Sequence, residues 1–262
     1  MNALANAPAA LLSCSDLDVR VADRMLVRQL TLAIQRGTMT CVLGRNGAGK
    51  TLTLHTLCGL RAPAAGSLLF DGRPLDDWPR RPLARQLGLL SQTSEDPFPS
   101  SVLDTTLIGR HPHIGFWQWE SESDRAIARA ALQSVDMDTL ETREIDTLSG
   151  GERRRVAIAT LLAQDPELML LDEPINHLDP QHQIDVLRLL RARADAGRAV
   201  VMSLHDIGLA TRFGDQALLL FGNGEWLHGP VQRVLNEATI SRLYGVTVRE
   251  LTWEGGRTFV TV

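Results

Sequence analysis

The sequence predicts an α/β fold: a parallel sheet with its ligand at the strands' C-terminal edge, an N-terminal antiparallel β layer, and an inserted helical subdomain. Three observations lead there. Short apolar runs at 168–171 and 199–203 alternate with stretches of helical period, the pattern of β–α units around a parallel sheet. A glycine-rich turn at 44–51 joins a β-prone run at 40–43 to a proline-free, leucine-spaced segment at 52–60, so strand, turn and helix N-terminus follow in succession. From 93 to about 120 the periodicity is lost, and helical segments follow, which marks an insertion.

Residues 1–12 are Ala-rich, carry no basic leader and are interrupted by Asn6 and Pro8. They read as a tail, disordered over 1–10, and not as a signal peptide. Partial apolar alternation at 11–21 and 30–34 predicts strands, and 66–70 predicts another, closed by the turn Asp71-Gly72. Pro79 and Pro82 punctuate the next stretch, and 87–90 runs as a buried strand into Ser91-Gln92. Within the insertion only 102–108 is periodic. Residues 123–135 predict a helix with Ile127, Ala130, Ala131 and Leu132 facing inward, and a second helix runs from near Gly150 to Ala163. The most hydrophobic strand, 168–171, lies between Pro166 and Pro174; a helix over about 181–194 and the strand 199–203 follow. Residues 218–221 and 225–228 read as a hairpin around Gly222-Asn223-Gly224, and 246–262 as a C-terminal β extension turning at Gly255-Gly256.

The bulk properties restrict function without naming it. A chain of 262 residues, 44% hydrophobic and 22% charged, suffices for a sizeable core in one large or two small domains. A net charge of -4 argues against binding nucleic acid through a general basic field. Cys14, Cys41 and Cys58 form no CxxC pair and suggest reduced thiols, with no disulfide frame or zinc site. No apolar run approaches the ~20 residues of a membrane span, so any spanning falls to other subunits.

Chemistry concentrates in a few motifs. Gly44-Arg45-Asn46-Gly47-Ala48-Gly49-Lys50-Thr51 fits GxxxxGK[ST] at every constrained position. Its glycines let backbone N–H groups point at phosphate oxygens, and the following helix adds its positive dipole end. Lys50 would reach the β- and γ-phosphates and Thr51 would ligate Mg²⁺, so the chain is expected to bind a nucleoside triphosphate. Asp172-Glu173 ends the strand 168–171, where Asp172 can hold Mg²⁺ through water and Glu173 can polarise an attacking water. Leu148-Ser149-Gly150-Gly151-Glu152 opens a helix, with Ser149 at a capping position and amides open to an anion beyond it. His205 follows the strand 199–203 and can contact the γ-phosphate; Gln92, at the end of 87–90, can touch the metal or the water.

Taken in this order, the set resembles the ATP-binding-cassette (ABC) ATPases over about 11–235, with a P-loop NTPase core. The resemblance makes 44–51 the Walker A motif, Gln92 the Q-loop, 148–152 the signature and 168–173 the Walker B motif. It makes Leu178-Asp179 the D-loop, so that Asp179 joins Ser149, Gly150 and Gly151 in nucleotide binding, and His205 the switch histidine. The ATPase domain is then 11–245, with 93–150 its helical subdomain. The family's mechanism implies a homodimer closed head to tail around two ATP molecules with Mg²⁺, each site pairing one P-loop with the other copy's signature. ATP hydrolysis would drive multi-span permease subunits from the cytoplasmic face of the inner membrane, with a periplasmic substrate-binding protein engaged only indirectly.

Gly109-Arg110-His111-Pro112-His113 after Pro97-Phe98-Pro99, and 177–183, resemble the importers of iron–siderophore complexes, haem and cobalamin. A soluble ABC ATPase of cofactor assembly and an exporter subunit are the alternatives. Three positions depart from the family. Val21 stands where an aromatic ring often stacks on adenine, Arg154 where glutamine is frequent, and Ile175-Asn176-His177 where small or hydroxyl residues are commoner. The segment 110–120 carries Phe116, Trp117 and Trp119. Either these pack onto the helix 123–135 as local core, or with Arg110 they line the cleft that receives a permease helix.

Overall fold

The computed structural model describes residues 10–92, 99–254 and 256–262. The expectations for 1–9, for Pro97-Phe98 and for the turn at Gly255 lie outside the described residues.

Strands β1 (Leu12–Val21) and β2 (Arg24–Ile34) form an antiparallel ribbon that pairs Leu12 with Ile34. β3 (Met39–Leu43) runs into the glycine-rich turn, and α1 (Lys50–Leu57) follows. β4 (Ala65–Phe70) returns to pair with β1, and the short β5 (Arg73–Pro74) closes a four-stranded sheet of order β2-β1-β4-β5. α2 (Arg80–Gln86) leads into β6 (Leu87–Leu90). The helical part holds α3 (Val102–Leu107), α4 (Glu122–Gln133) and α5 (Gly150–Gln164). The chain then alternates through β7 (Leu168–Leu171), α6 (Pro180–Asp195), β8 (Ala199–Ser203), α7 (Ile207–Phe213) and β9 (Gln216–Leu220). It finishes with β10 (Trp226–Pro230), α8 (Val231–Val234), α9 (Glu237–Tyr244), and the two-stranded sheet β11 (Val248–Trp253) and β12 (Gly256–Thr261).

The second sheet has the order β10-β9-β3-β8-β7-β6, with every pairing parallel except β10 on β9. Its strands are apolar on both faces because both faces are covered. Met39, Cys41 and Leu43 of β3 point into a core shared with the helices, whereas Val42 points into a core shared with the antiparallel sheet. Met169 and Leu171 alternate with Leu168 and Leu170 in the same way. A parallel sheet sandwiched on both sides demands this continuous hydrophobic run, which is why β6, β7 and β8 fall where the sequence predicts them. The three cysteines are buried free thiols, and burial pushes Cys14 up to about 11 and Cys41 up to about 12. Among the described residues no helix is long and apolar enough to cross a membrane.

The inward face of α4 differs from the expectation. Ala128, Ala131 and Leu132 are buried against α3 and α5, but Ile127 and Ala130 are exposed. One helical stripe suffices for the contact, and the adjoining stripe that includes Ile127 and Ala130 lines a shallow cleft with Arg110 and Arg193. The helical part meets the signature helix at van der Waals limits. A Cβ on Gly109 would stand 2.1 Å from the Thr160 carbonyl oxygen of α5. Gly109→Ala is therefore expected to force α3 and α5 apart and to cost about 1–3 kcal/mol, as overpacking does. Urea denaturation of the purified chain checks this; an unchanged midpoint would show that the seam yields freely.

Candidate nucleotide site

Four strand ends of the parallel sheet converge on one place, because ligands of such sheets lie beyond the carboxyl ends of the strands. β3 delivers the glycine-rich turn, β6 delivers Gln92, β7 delivers Asp172 and Glu173, and β8 delivers His205. A cleft of about 410 Å³ opens there, lined among others by Asn46, Gly47, Lys50, Thr51, Gln92 and Glu173. Gly49 caps α1 at φ 103, a left-handed conformation, and a Cβ there would also press on Leu26 at 3.1 Å. The α1 amides thus open onto the cleft with no side-chain cap in the way. Lys50 Nζ donates to the Gly44 carbonyl at 3.0 Å. Burial lowers the Lys50 pKa, opposed by the charges of Glu173 and Asp172. Ala48 is buried beneath the turn, while Arg45 is exposed and lies outside the cleft lining.

The two carboxylates differ in their surroundings. Asp172 is fully buried; its Oδ1 accepts from Ser203 Oγ at 2.6 Å, and its Oδ2 has no hydrogen-bond partner among the described residues. That single unsatisfied oxygen, with the Thr51 hydroxyl in the cleft, fits a water-bound Mg²⁺. Glu173 sits at φ 50, a conformation that costs a non-glycine residue on the order of 1 kcal/mol. Its N–H donates to Ser203 Oγ at 2.8 Å. Its carboxylate accepts from Gln92 Nε2 at 3.0 Å and from Asn176 Nδ2, and lies 2.6 Å from His205 Nε2. Gln92, Glu173 and His205, singled out separately in the sequence, are thus one hydrogen-bonded cluster.

Ser149, Gly150, Gly151 and Asp179 do not join it. Ser149 caps α5 and forms a reciprocal box with Glu152, whose N–H reaches Ser149 Oγ at 3.2 Å and whose carboxylate accepts the Ser149 N–H at 2.7 Å. That backbone bond holds the Glu152 carboxyl below its usual range. Asp179 caps α6 and accepts from the His182 N–H at 3.0 Å, which lowers its pKa likewise. Ser149, Gly150 and Asp179 are exposed, and Gly150 and Gly151 abut His177 rather than the cleft. Ser203 and Asn176 were not foreseen as members of the site. The one signal for Ser203 was a hydroxyl closing an otherwise apolar strand; Asn176 stood out only as a departure from the family pattern.

Val21 lines the cleft and is 41% exposed, with Arg24 and Leu26 beside it. Among the described residues no aromatic ring lines this cleft. Stacking of a base on an aromatic ring contributes about 1–3 kcal/mol. Val21→Tyr is expected to tighten ATP binding, and the natural chain to separate ATP from GTP only weakly; equal ATP affinities by calorimetry would overturn this. Lys50→Ala is expected to lose binding through its charge-assisted bonds to phosphate. Glu173→Gln is expected to keep binding yet nearly abolish turnover; hydrolysis by that variant at the natural rate would exclude Glu173 as the water-polarising group.

Comparison with known proteins places this geometry. The profile of the ABC transporter family matches residues 27–176. A hemin import ATP-binding protein of Pseudomonas entomophila (strain L48) is 40% identical over 244 residues, covering 91% of this chain and 94% of that protein. An iron(3+)-hydroxamate import ATP-binding protein of Bacillus subtilis (strain 168) is 32% identical, over 92% of this chain and 90% of that one. A solved structure described as an inward-facing conformation of a metal-chelate type ABC transporter superposes with a TM-score of 0.84 at 27% identity, covering 97% and 98% of the two chains. With its phosphate cradle, its strand-end carboxylates and its capped signature helix in this arrangement, the chain belongs to the ABC transporter family of ATP-binding proteins.

Proposed function

We propose that this chain is the ATP-hydrolysing subunit of an importer of metal chelates, haem or iron–siderophore complexes, and that it acts as a homodimer beneath a membrane permease. The observation that carries the dimer is the separation just described: the cleft contains the glycine-rich turn with Lys50 and Thr51, Gln92 and Glu173, while Ser149 and Gly150 face solvent on the same chain. A second copy, turned head to tail, brings its free α5 N-terminus to the γ-phosphate. The chelate class is supported by the names of the relatives and by the likeness to a metal-chelate type transporter.

The residues then divide the chemistry. Lys50 and the amides of the turn bind and orient the phosphates. Mg²⁺ held by Thr51 and, through water, Asp172 would neutralise charge on the phosphate oxygens. Glu173 orients and polarises the attacking water, and His205 and Gln92, already bonded to its carboxylate, hold it toward the γ-phosphate. Closure of the second copy excludes bulk water, and hydrolysis reopens the pair.

Docking of the permease is supported by a groove of about 270 Å³ between β6, α3 and α5, lined by Leu89, Ser91, Thr105, Ile108 and Thr160. Ser91 precedes Gln92, so a helix seated there reaches the ATP site through one residue. The aromatic segment is surface: Phe116, Trp117 and Trp119 are 81%, 91% and 89% exposed, which removes the local-core reading. Arg110 departs from the expectation. It is buried, donating to Asp124 Oδ1 at 3.0 Å and to the Ala163 carbonyl at 2.7 Å, because a buried guanidinium must find acceptors. It ties α4 to α5 and does not line this groove.

Replacing Phe116 and Trp117 with Ser is expected to leave folding and basal ATPase activity intact while permease assembly and transport fall sharply; normal transport by the variant would sink this surface. Uptake assays with a deletion strain, one chelate at a time, test the cargo. Retained uptake of every haem and siderophore tried would exclude metal-chelate import. Failure to co-purify with a multi-span membrane protein would favour a soluble ATPase.

A further inference from the structure

Arg154 stands five residues into α5, and the mechanism above leaves it without a task. It is 7% exposed, and its three hydrogen bonds among the described residues all end on main-chain carbonyls. Nε donates to Pro174 at 3.1 Å, one terminal nitrogen donates to Ser91 at 2.7 Å, and the other donates to Asp172. These carbonyls bracket the reacting groups. Ser91 precedes Gln92, and Asp172 and Pro174 flank Glu173, whose own backbone is held at φ 50.

A guanidinium is a rigid plane with its donors in a fixed fork. Three acceptors held by one such plane cannot move relative to each other without breaking a bond, and a bond broken in this interior would strand a buried charge. Burial pushes the Arg154 pKa down to about 10, with Asp172 and Glu173 raising it, so the group remains a cation at neutral pH. Its stem rises from the helix whose first turn is Ser149–Glu152, so the same side chain joins the signature to the ends of β6 and β7.

We propose that Arg154 is a positioning residue that locks Glu173 and Gln92 to the tilt of α5, so that movement of the signature helix displaces the water-polarising carboxylate of the same chain. Docking of the permease in the adjoining groove, or of the second copy on Ser149, then changes the hydrolysis rate through this one plane. The inference rests on Glu173 polarising the water.

The test is a donor series, Arg154→Gln, Arg154→Lys and Arg154→Met, with Glu173→Gln run in parallel, each read for kcat, KM, ATP affinity and melting temperature. Gln keeps two planar N–H donors, Lys keeps charge without the fork, and Met keeps neither. Misplacement of a reacting group by about 1 Å costs up to roughly a hundredfold in rate. The expected result is a kcat falling about ten- to a hundredfold in the Met variant and less in Lys and Gln, with Gln the least affected and ATP affinity within about threefold throughout. A kcat per folded molecule that stays natural in all three variants, with only the melting temperature lowered, would overturn the proposal and leave Arg154 as structural. So would a loss of ATP affinity that matches the loss of kcat. If the Met variant fails to fold, the order of Gln and Lys decides. Turnover retained in Glu173→Gln would instead remove the premise, which separates the two failures.

Discussion

Two adjacent carboxylates end a strand that is buried on both faces, and the arrangement of this site follows from making that tolerable. Asp172 and Glu173 lose nearly all contact with water, and a buried charge persists only where donors replace the water it lost. The donors come from separate elements: Ser203 from the end of β8, Gln92 from the end of β6, His205 from beyond β8, and Asn176 from the loop after β7. Lys50 and Arg154 add positive charge from α1 and α5. Chain segments far apart in sequence are held together by these bonds, so the polar site helps to fix the sheet edge that carries it. Among the described residues Asp172 Oδ2 alone of these carboxylate oxygens is left without a donor.

The helical part is bound to this edge through both ends of α5. Gly109 permits backbone contact between the α3 end and α5, and Arg110 and His113 bond to the carbonyls of Ala163 and Gln164 at the far end of α5. At the near end Arg154 bonds to the strand ends. A helix gripped at both ends moves as a rigid body. The capping box of Ser149 and Glu152 keeps the first turn of α5 formed.

How much of this was legible depends on the range of the forces involved. β6, β7 and β8 were readable to the residue, because two-sided burial writes an uninterrupted apolar run into four or five positions. The turn 44–51 was readable because glycines, lysine and threonine at that spacing have one common use. By contrast α7 and α9 were not anticipated, being only seven and eight residues long and held by packing more than by pattern. The predicted inward face of α4 was one stripe too broad, since Ile127 is apolar yet faces a cleft. Arg110 was expected to line a permease cleft with the aromatics, and only its acceptors on Asp124 and Ala163 revealed it as a brace.

Local order in the chain determined the phosphate cradle, the strand-end carboxylates, the capped signature and hence the family, because each is a motif whose parts lie within a few residues of one another. Tertiary structure alone decided which of these share a site. It brought Gln92, Glu173 and His205 into one hydrogen-bonded cluster, turned Ser149 and Gly150 away from it, and set Ser203, Asn176 and Arg154 beneath it. Such partners are 30 to 81 positions apart where they bridge strands, as Ser203 to Glu173 and Gln92 to Glu173 do. No periodicity encodes a pairing at that distance; it arises when buried polar groups, brought together by a sheet that folds for hydrophobic reasons, must satisfy one another.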